Sequence, residues 1–202
     1  MNAPIPNAPA PRTLRAESAH YLIRTLEPAD ATQGWCDWLM DPGAQINLNA
    51  KPTRTTIEEV RAYIASFDRR TSHIVGIFEK QSGQLVGIRA AYVDPKRREC
   101  LLNTLIGEVG ARSKGAQRES RYAMHNFVFE DLDMESARAS VVADNAYMLR
   151  VLAETGWVHE HTSSKPRANG EGFVALHHFR LSREVWRTNE AAKAKLYFDG
   201  KA

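Results

Sequence analysis

Between residues 72 and 108 the chain lays down three β-rich runs separated by two short polar turns, and this constrains the fold more than any other feature. "SHIVGIFEK" (72–80) turns through "QSG" into "QLVGIRAAYV" (84–93), and "DPKRRE" (94–99) leads into "CLLNTLIGE" (100–108). Tight polar turns between such runs indicate antiparallel hairpins. The flanking segments decide how that meander is covered. Upstream, "YLIRTL" (21–26) reads as a strand. "DATQGWCDWLM" (30–40) reads as a helix with Trp35, Trp38 and Leu39 on one side, ended by "DPG" (41–43). "TTIEEVRAYIASFD" reads as a second helix: Thr56 and Glu59 form a capping-box pattern, and Ile57, Val60, Tyr63, Ile64 and Phe67 recur at helical spacing. Downstream come a helix over 115–132, the strand "SARASVVAD" (136–144) and the helix "NAYMLRVLAETG" (145–156) ended by Gly156. Two late strands follow, "WVHEHTS" and "GFVALHHFRLS". Strands that come first as hairpins and later alternate with helices predict an α+β fold: a mixed, mostly antiparallel sheet flanked by helices.

The 202 residues fit one domain with tails. Pro4, Pro6, Pro9 and Pro11 alternate with small residues, so residues 1–19 read as a disordered arm. The folded domain is expected over 20–187, and residues 188–202 form a C-terminal tail that can add one more helix. No apolar stretch approaches ~18 residues, so no membrane-spanning helix is expected, and the opening segment lacks the apolar centre of a signal peptide. Cys36 and Cys100 each sit among apolar neighbours, which suggests a reduced, cytoplasmic protein. A net charge of +3 without a basic block does not demand nucleic acid. A weaker nucleic-acid reading would rest on Arg12 and Arg15 of the arm. His159 and His161 share a face by alternation, but no third ligand is spaced near them, so no metal is expected.

The stretch "ARSKGAQRES" (111–120) places Arg112, Lys114 and Arg118 around Gly115, just before an amphipathic helix. The first amides of a helix lack internal partners and the helix dipole makes that end positive, so a phosphate can be held there. A solvated basic turn is the plainer reading of the same residues.

The flanks add a resemblance. Over roughly residues 20–187 the chain resembles the GNAT superfamily of acyl-CoA-dependent N-acetyltransferases, and within it the Rim-type branch that acts on ribosomal proteins and small molecules. "YLIRTLEPADATQGWCDWLMDP" looks like that branch's first strand and tryptophan-bearing helix, "TIEEVRAYIASFD" like its second helix, and "GIFEKQSGQLVGI" like its central hairpin. "LIGEVGARSKGAQRE" stands where the family's acyl-CoA loop lies. "FVFEDLDMESARASVVADNAYMLRVLAETGWVHE" matches the following segment, including its Asn and its final Gly-aromatic pair.

The resemblance implies acetyl-CoA as acyl donor. Its diphosphate would be held by the backbone at Arg112, Ser113, Lys114, Gly115, Ala116 and Gln117, with Gln117 replacing a family Gly or Ala. The pantetheine arm would pair with Leu105, Ile106 and Gly107, whose plainer role is core. Asn145 would contact the cofactor or cap the helix, with Asp144 a competing cap. The implied acceptor is a primary amine, on a small molecule or a protein N-terminus, and the branch often forms dimers. The "GAQINLNAKP" loop would close over the acceptor or serve as a plain connector. Three positions depart from the family: Leu152 replaces a frequent tyrosine, Met148 a frequent serine and Leu101 a frequent glutamate. Glu108, Tyr92, His177 and His178 remain as acid–base candidates, with Asn103 beside the cleft. Neighbouring His177 and His178 would point to opposite faces of their strand. The sequence thus supports an N-acetyltransferase, or a relative that kept the fold as a ligand-binding or interaction module without the chemistry.

Overall fold

The computed structural model describes residues 9–189. In chain order the strands are β1 (Arg15–Glu17), β2 (Tyr21–Thr25), β3 (Ser72–Glu79), β4 (Leu85–Asp94), β5 (Glu99–Ile106), β6 (Ser136–Val142), β7 (Val158–Pro166) and β8 (Phe173–Ser182). The helices are α1 (Gln33–Met40), α2 (Pro42–Leu48), α3 (Ile57–Ala65), α4 (Val109–Arg112), α5 (Ala116–Asn126), α6 (Ala146–Glu154) and α7 (Arg183–Asn189). The strands form one sheet in the order β1-β2-β3-β4-β5-β6-β8-β7. Every pairing is antiparallel except β5 with β6, which the crossover through α4 and α5 makes parallel. The expected mixed, mostly antiparallel sheet with flanking helices is present.

Alternation along each strand builds a core on each face. On one face, Trp35, Cys36 and Trp38 of α1 and Val60 and Ile64 of α3 pack on Ile74, Leu85 and Ala90. On the other, Tyr122, Met124 and Phe127 from α5 and its continuation, Leu152 of α6 and Trp186 of α7 pack on Val75, Ala91, Cys100 and Ala137. Cys36 and Cys100 therefore lie in different cores as free thiols. The capping box expected at Thr56 is formed: the Glu59 amide donates to Thr56 Oγ1 at 3.2 Å and the Thr56 amide to Glu59 Oε2 at 2.8 Å.

Three local expectations are corrected. The sheet starts before His20, because Arg15–Glu17 pairs with β2. The tie is Glu119 of α5, whose buried carboxylate accepts from the Ser18 hydroxyl and from the His20 amide and faces the His20 ring. The segment after "DPG" is not all loop. Asp41 accepts from the amides of Gly43 and Ala44, and Pro42 takes the first position of α2. His159 and His161 do not share a face, because a bulge in β7 breaks the alternation between them: His159 packs against His177, while His161 stacks on His178 at 4.3 Å. The predicted tail helix is seen as α7 up to Asn189; its remainder lies outside the described residues.

Candidate active site

The parallel pair is short. β5 and β6 are registered only through Glu99↔Ser136, Cys100↔Ala137 and Leu101↔Arg138. Beyond that point β5 stays on β4 as far as Gly87↔Ile106, and β6 stays on β8 as far as Val142↔Leu176. Each strand follows its antiparallel neighbour, so the two part. At the closed end Glu99 Oε1 holds Arg138 at 3.4 Å and Arg180 at 3.6 Å. The gap is a cleft of about 410 Å³ bounded by residues 102–106 of β5 and Ala139, Ser140 and Val141 of β6. Gln117, Arg121 and His125 of α5 line it from one face, with Met148, Leu152 and Trp157; Ala44, Asn47 and Leu48 of α2 line it from the other.

The wide end meets the start of α5. Gly115 is the N-cap at φ 88°, a left-handed conformation that suits glycine, and no side chain caps the helix there. A Cβ at this position would stand 3.2 Å from Glu119 Oε1. The amides of residues 116–118 therefore open the helix at the mouth of the cleft. Of the residues expected around the cofactor, Leu105, Ile106, Arg112, Gln117 and Asn145 line the cleft. Ser113, Lys114, Gly115 and Ala116 form the loop and first turn beside it, and Lys114 reaches Glu79 at 3.5 Å. Gly107 is turned away: its amide donates to Val86, and its Cα lies against Trp38. Arg112 donates to the carbonyls of Ile106 and Gly107 at 3.0 and 3.1 Å. The strand edge open to a ligand thus runs along residues 102–105.

Gln117 does not project over these amides. Its Oε1 accepts from Arg89 at 2.7 Å and its Nε2 donates to Met148 Sδ at 3.4 Å. Arg89, buried on β4, also donates to the Gln117 carbonyl, Ser120 Oγ and Thr104 Oγ1. All these acceptors are neutral oxygens. Burial, and then the neighbouring Arg121, push its pKa down to about 9, so it remains a cation at neutral pH. Among the described residues lining the cleft there are three arginines and no Asp or Glu.

Asn145 serves as the N-cap of α6, accepting from the Met148 amide at 3.1 Å, and its side chain also borders the cleft. Its competitor Asp144 is instead paired with Arg167 at 2.7 Å. Glu108 and Tyr92 lie outside the cleft. Glu108 precedes α4 and lines a second depression with Trp38 and Glu79, and Tyr92 Oη stands 3.5 Å from Tyr63 Oη on the α3 face of the sheet. Leu101 pairs with Tyr92 on that face and is also outside the cleft. Ser140 supplies the polar group the sequence reading passed over. It lines the cleft, and its Oγ lies 2.9 Å from His178 Nδ1, whose Nε2 lies 2.8 Å from Ser163 Oγ. Burial, and next His161, lower the His178 pKa, which favours a neutral imidazole able to take a proton. His177 points to the opposite face, toward His159 and Thr162. Among the described residues no three His, Cys, Asp or Glu side chains converge to hold a metal.

A mixed sheet whose one parallel pair opens into a cleft, with a helix N-terminus at its mouth, is the architecture of the acyl-CoA N-acyltransferase fold. The family model of the acetyltransferase (GNAT) domain matches residues 20–158, and the chain belongs to the GNAT acetyltransferase family. Among solved structures it is similar to spermidine N-acetyltransferase from Vibrio cholerae in complex with CoA and spermine, with a TM-score of 0.74 and 13% identity over 84% of this chain and 99% of that one. A GCN5-related N-acetyltransferase from Brucella melitensis aligns with a TM-score of 0.73 and 13% identity, over 93% and 86%. A GNAT-family acetyltransferase from Bacillus anthracis aligns at 0.69 and 16%, over 86% and 99%. No curated protein sequence matches the chain.

Proposed function

We propose that the protein is an acyl-CoA-dependent N-acetyltransferase of the Rim-type branch, moving the acetyl group of acetyl-CoA to a primary amine of a small molecule or a protein N-terminus. The observation that carries this reading is the parting of β5 from β6 after Leu101 and Arg138, in front of the uncapped start of α5. The amides of residues 116–118 receive the diphosphate of CoA. The open edge at residues 102–105 pairs with the pantetheine arm as an added strand would. The thioester then lies toward the closed end, beside Ser140.

Transfer is direct. The neutral amine nitrogen attacks the thioester carbonyl, the new C–N bond forms and the C–S bond breaks. Ser140 Oγ takes the amine proton as it passes its own to His178 Nδ1, with His178 in the tautomer that carries hydrogen on Nε2. The leaving thiolate takes a proton from water. A base placed in this way contributes roughly 10²–10⁴-fold, and orientation in the cleft supplies more. The relative from Vibrio cholerae is named for spermidine. A cleft lined by arginines without carboxylates repels such a polycation, so the acceptor here is a monoamine.

The second reading, a fold retained for binding alone, draws on the apolar Met148 and Leu152 in the cleft wall. Titration calorimetry with acetyl-CoA, followed by thiol release across a panel of amines, tests both. Binding with turnover supports transfer and ends the second reading, binding without turnover supports the second reading, and no binding at millimolar acetyl-CoA ends the first.

A further inference from the structure

We infer that β7, the outermost strand of the sheet, supplies two positioning residues to the reaction: Ser163 fixes the tautomer of His178 that leaves Nδ1 facing Ser140, and His161 packs on the same ring and opposes its charging. This rests on the reading of Ser140 and His178 as the path of the amine proton, and adds what sets that histidine.

β7 contributes no residue to either core among the described residues. It pairs with β8 along one side only and is exposed at every residue but Ser163. A strand that buries so little gains little from the hydrophobic effect, so packing does not account for the side chains it carries.

Those side chains are aimed by the bulge. His159 is registered with Phe179 and His161 with His178, so Glu160 is the extra residue and the phase of the strand changes there. Beyond it His161 and Ser163 alternate onto the face of the hairpin that holds His178, His161 directly across from it and Ser163 on the diagonal. Ser140 of β6 is directly across from His178 on the other side. The imidazole therefore bridges β6 and β7 from β8, with Nδ1 2.9 Å from Ser140 Oγ and Nε2 2.8 Å from Ser163 Oγ. The His161 ring lies flat on it, with 4.3 Å between centroids and 9° between planes. Bulges recur beside active sites, where they re-aim a side chain in this way.

A neutral imidazole has one N–H and one basic nitrogen. With hydrogen on Nε2 it donates to Ser163, and the Nδ1 lone pair is left toward Ser140. With hydrogen on Nδ1 no base faces Ser140. When Nδ1 takes the proton, Nε2–H still donates to Ser163, now from a cation, and that hydrogen bond strengthens. Ser163 thus favours both the working tautomer and the protonated ring. His161 acts the other way, because a charge stacked on the ring disfavours a second one. Burial and then His161 lower the His178 pKa; Lys165 and His159 lower it further, and Glu160 opposes them. The charged neighbours on this face of β6 and β8 are Arg138 and Arg180, both paired with Glu99. The two β7 residues together keep the ring uncharged at rest and still able to accept a proton.

The test is imidazole nitrogen NMR on the ligand-free full chain, with the His178 signals identified by their loss in His178→Gln. In the wild type, above its titration, the hydrogen is expected on Nε2. Ser163→Ala is expected to raise the Nδ1–H share and to move the titration down by about 0.4–1 pH unit, the contribution of one hydrogen bond. Ser163→Thr keeps the hydroxyl and should restore both. His161→Phe keeps a stacked ring without the charge and should move the titration up by as much as about 0.7 pH unit. Hydrogen on Nδ1 in the wild type, or Ser163→Ala with tautomer and titration both unchanged, overturns the role of Ser163. A titration unmoved in His161→Phe overturns that of His161. With acetyl-CoA and the monoamine that releases most thiol, Ser163→Ala is expected to lower kcat about tenfold with the KM for acetyl-CoA unchanged. If no amine releases thiol, the transfer reading ends, while the NMR signature still decides whether Ser163 sets His178.

Discussion

Arg89 Nη2 donates to both the main-chain carbonyl and the side-chain oxygen of Gln117, each at 2.7 Å. A buried guanidinium thereby fixes the first turn of the helix that faces the cleft, and it pulls the Gln117 side chain down beneath the amides that open α5. Gln117→Ala removes one neutral acceptor from that cation. A cost of about 1.5–3 kcal/mol in unfolding free energy is expected, the range for a hydrogen bond to a charged group. Acetyl-CoA affinity is expected to stay within about threefold, less than 1 kcal/mol. Tightening beyond tenfold in calorimetry would mean that the glutamine had been obstructing the site.

Gly107 ends the strand that forms one wall of the cleft, and a Cβ there would stand 1.9 Å from Cδ2 of Trp38. That indole is buried and stacked on Trp35 at 6.4 Å, so it cannot swing aside. Gly107→Ala forces α1 off the sheet. Overpacking of this kind costs roughly 1–3 kcal/mol or more, a fall in Tm of at least about 2 °C in a domain of this size. Gly110→Ala, three residues on, meets nothing within 4 Å and should be neutral or slightly stabilising. Equal melting temperatures for the two variants would contradict this packing.

The hairpins and the helices around them were legible because their signals are local: alternation, caps and turn residues. α2 was hidden because Pro-Gly after Asp41 looks like a break, and only the amides that Asp41 accepts from show it opening a helix. β1 was hidden because three residues carry too little pattern; Glu119, a hundred residues on, holds that segment in place. In the site, the cleft-wall positions Leu105, Ile106, Gln117 and Asn145 were legible through the family resemblance, while the contact between Ser140 and His178 was not. Ser140 becomes a candidate only because His178 lies across β6 and β8, a pairing no spacing reveals. Arg89 did leave a trace, a lone charge between Ile88 and Ala90 inside an apolar strand.

If Ser140 and His178 carry the amine's proton, His178→Gln should lower kcat/KM by roughly 10²–10⁴-fold with acetyl-CoA affinity unchanged. The pH profile separates this from a structural effect. Burial and His161 hold the His178 pKa below its ordinary value, so the acid limb of wild-type kcat/KM should fall below about pH 6.5. The limb should vanish in His178→Gln. An acid limb that persists unchanged in that variant would assign the titration to another group.

His73 and His125 are each 2% exposed, and burial is the leading cause that lowers both pKa values; Arg121 and then Arg89 lower that of His125 further. The unfolded chain binds protons on these rings near pH 6.5, where the folded chain does not. With more protons bound in the unfolded state, stability rises with pH and is lost as pH falls below about 6.5, by up to about 1.4 kcal/mol per pH unit for each ring. Asp30 and Asp68 are held below the usual carboxylate range, and their stabilising effect is lost only in more acid solution, below about pH 4. The two windows are therefore distinct. Urea unfolding between pH 7.5 and 5 should show a steady decline with a slope of up to about two protons, and His73→Gln should remove one of them. Stability that stays level across that interval would mean that the folded protein protonates both imidazoles as readily as the unfolded chain does.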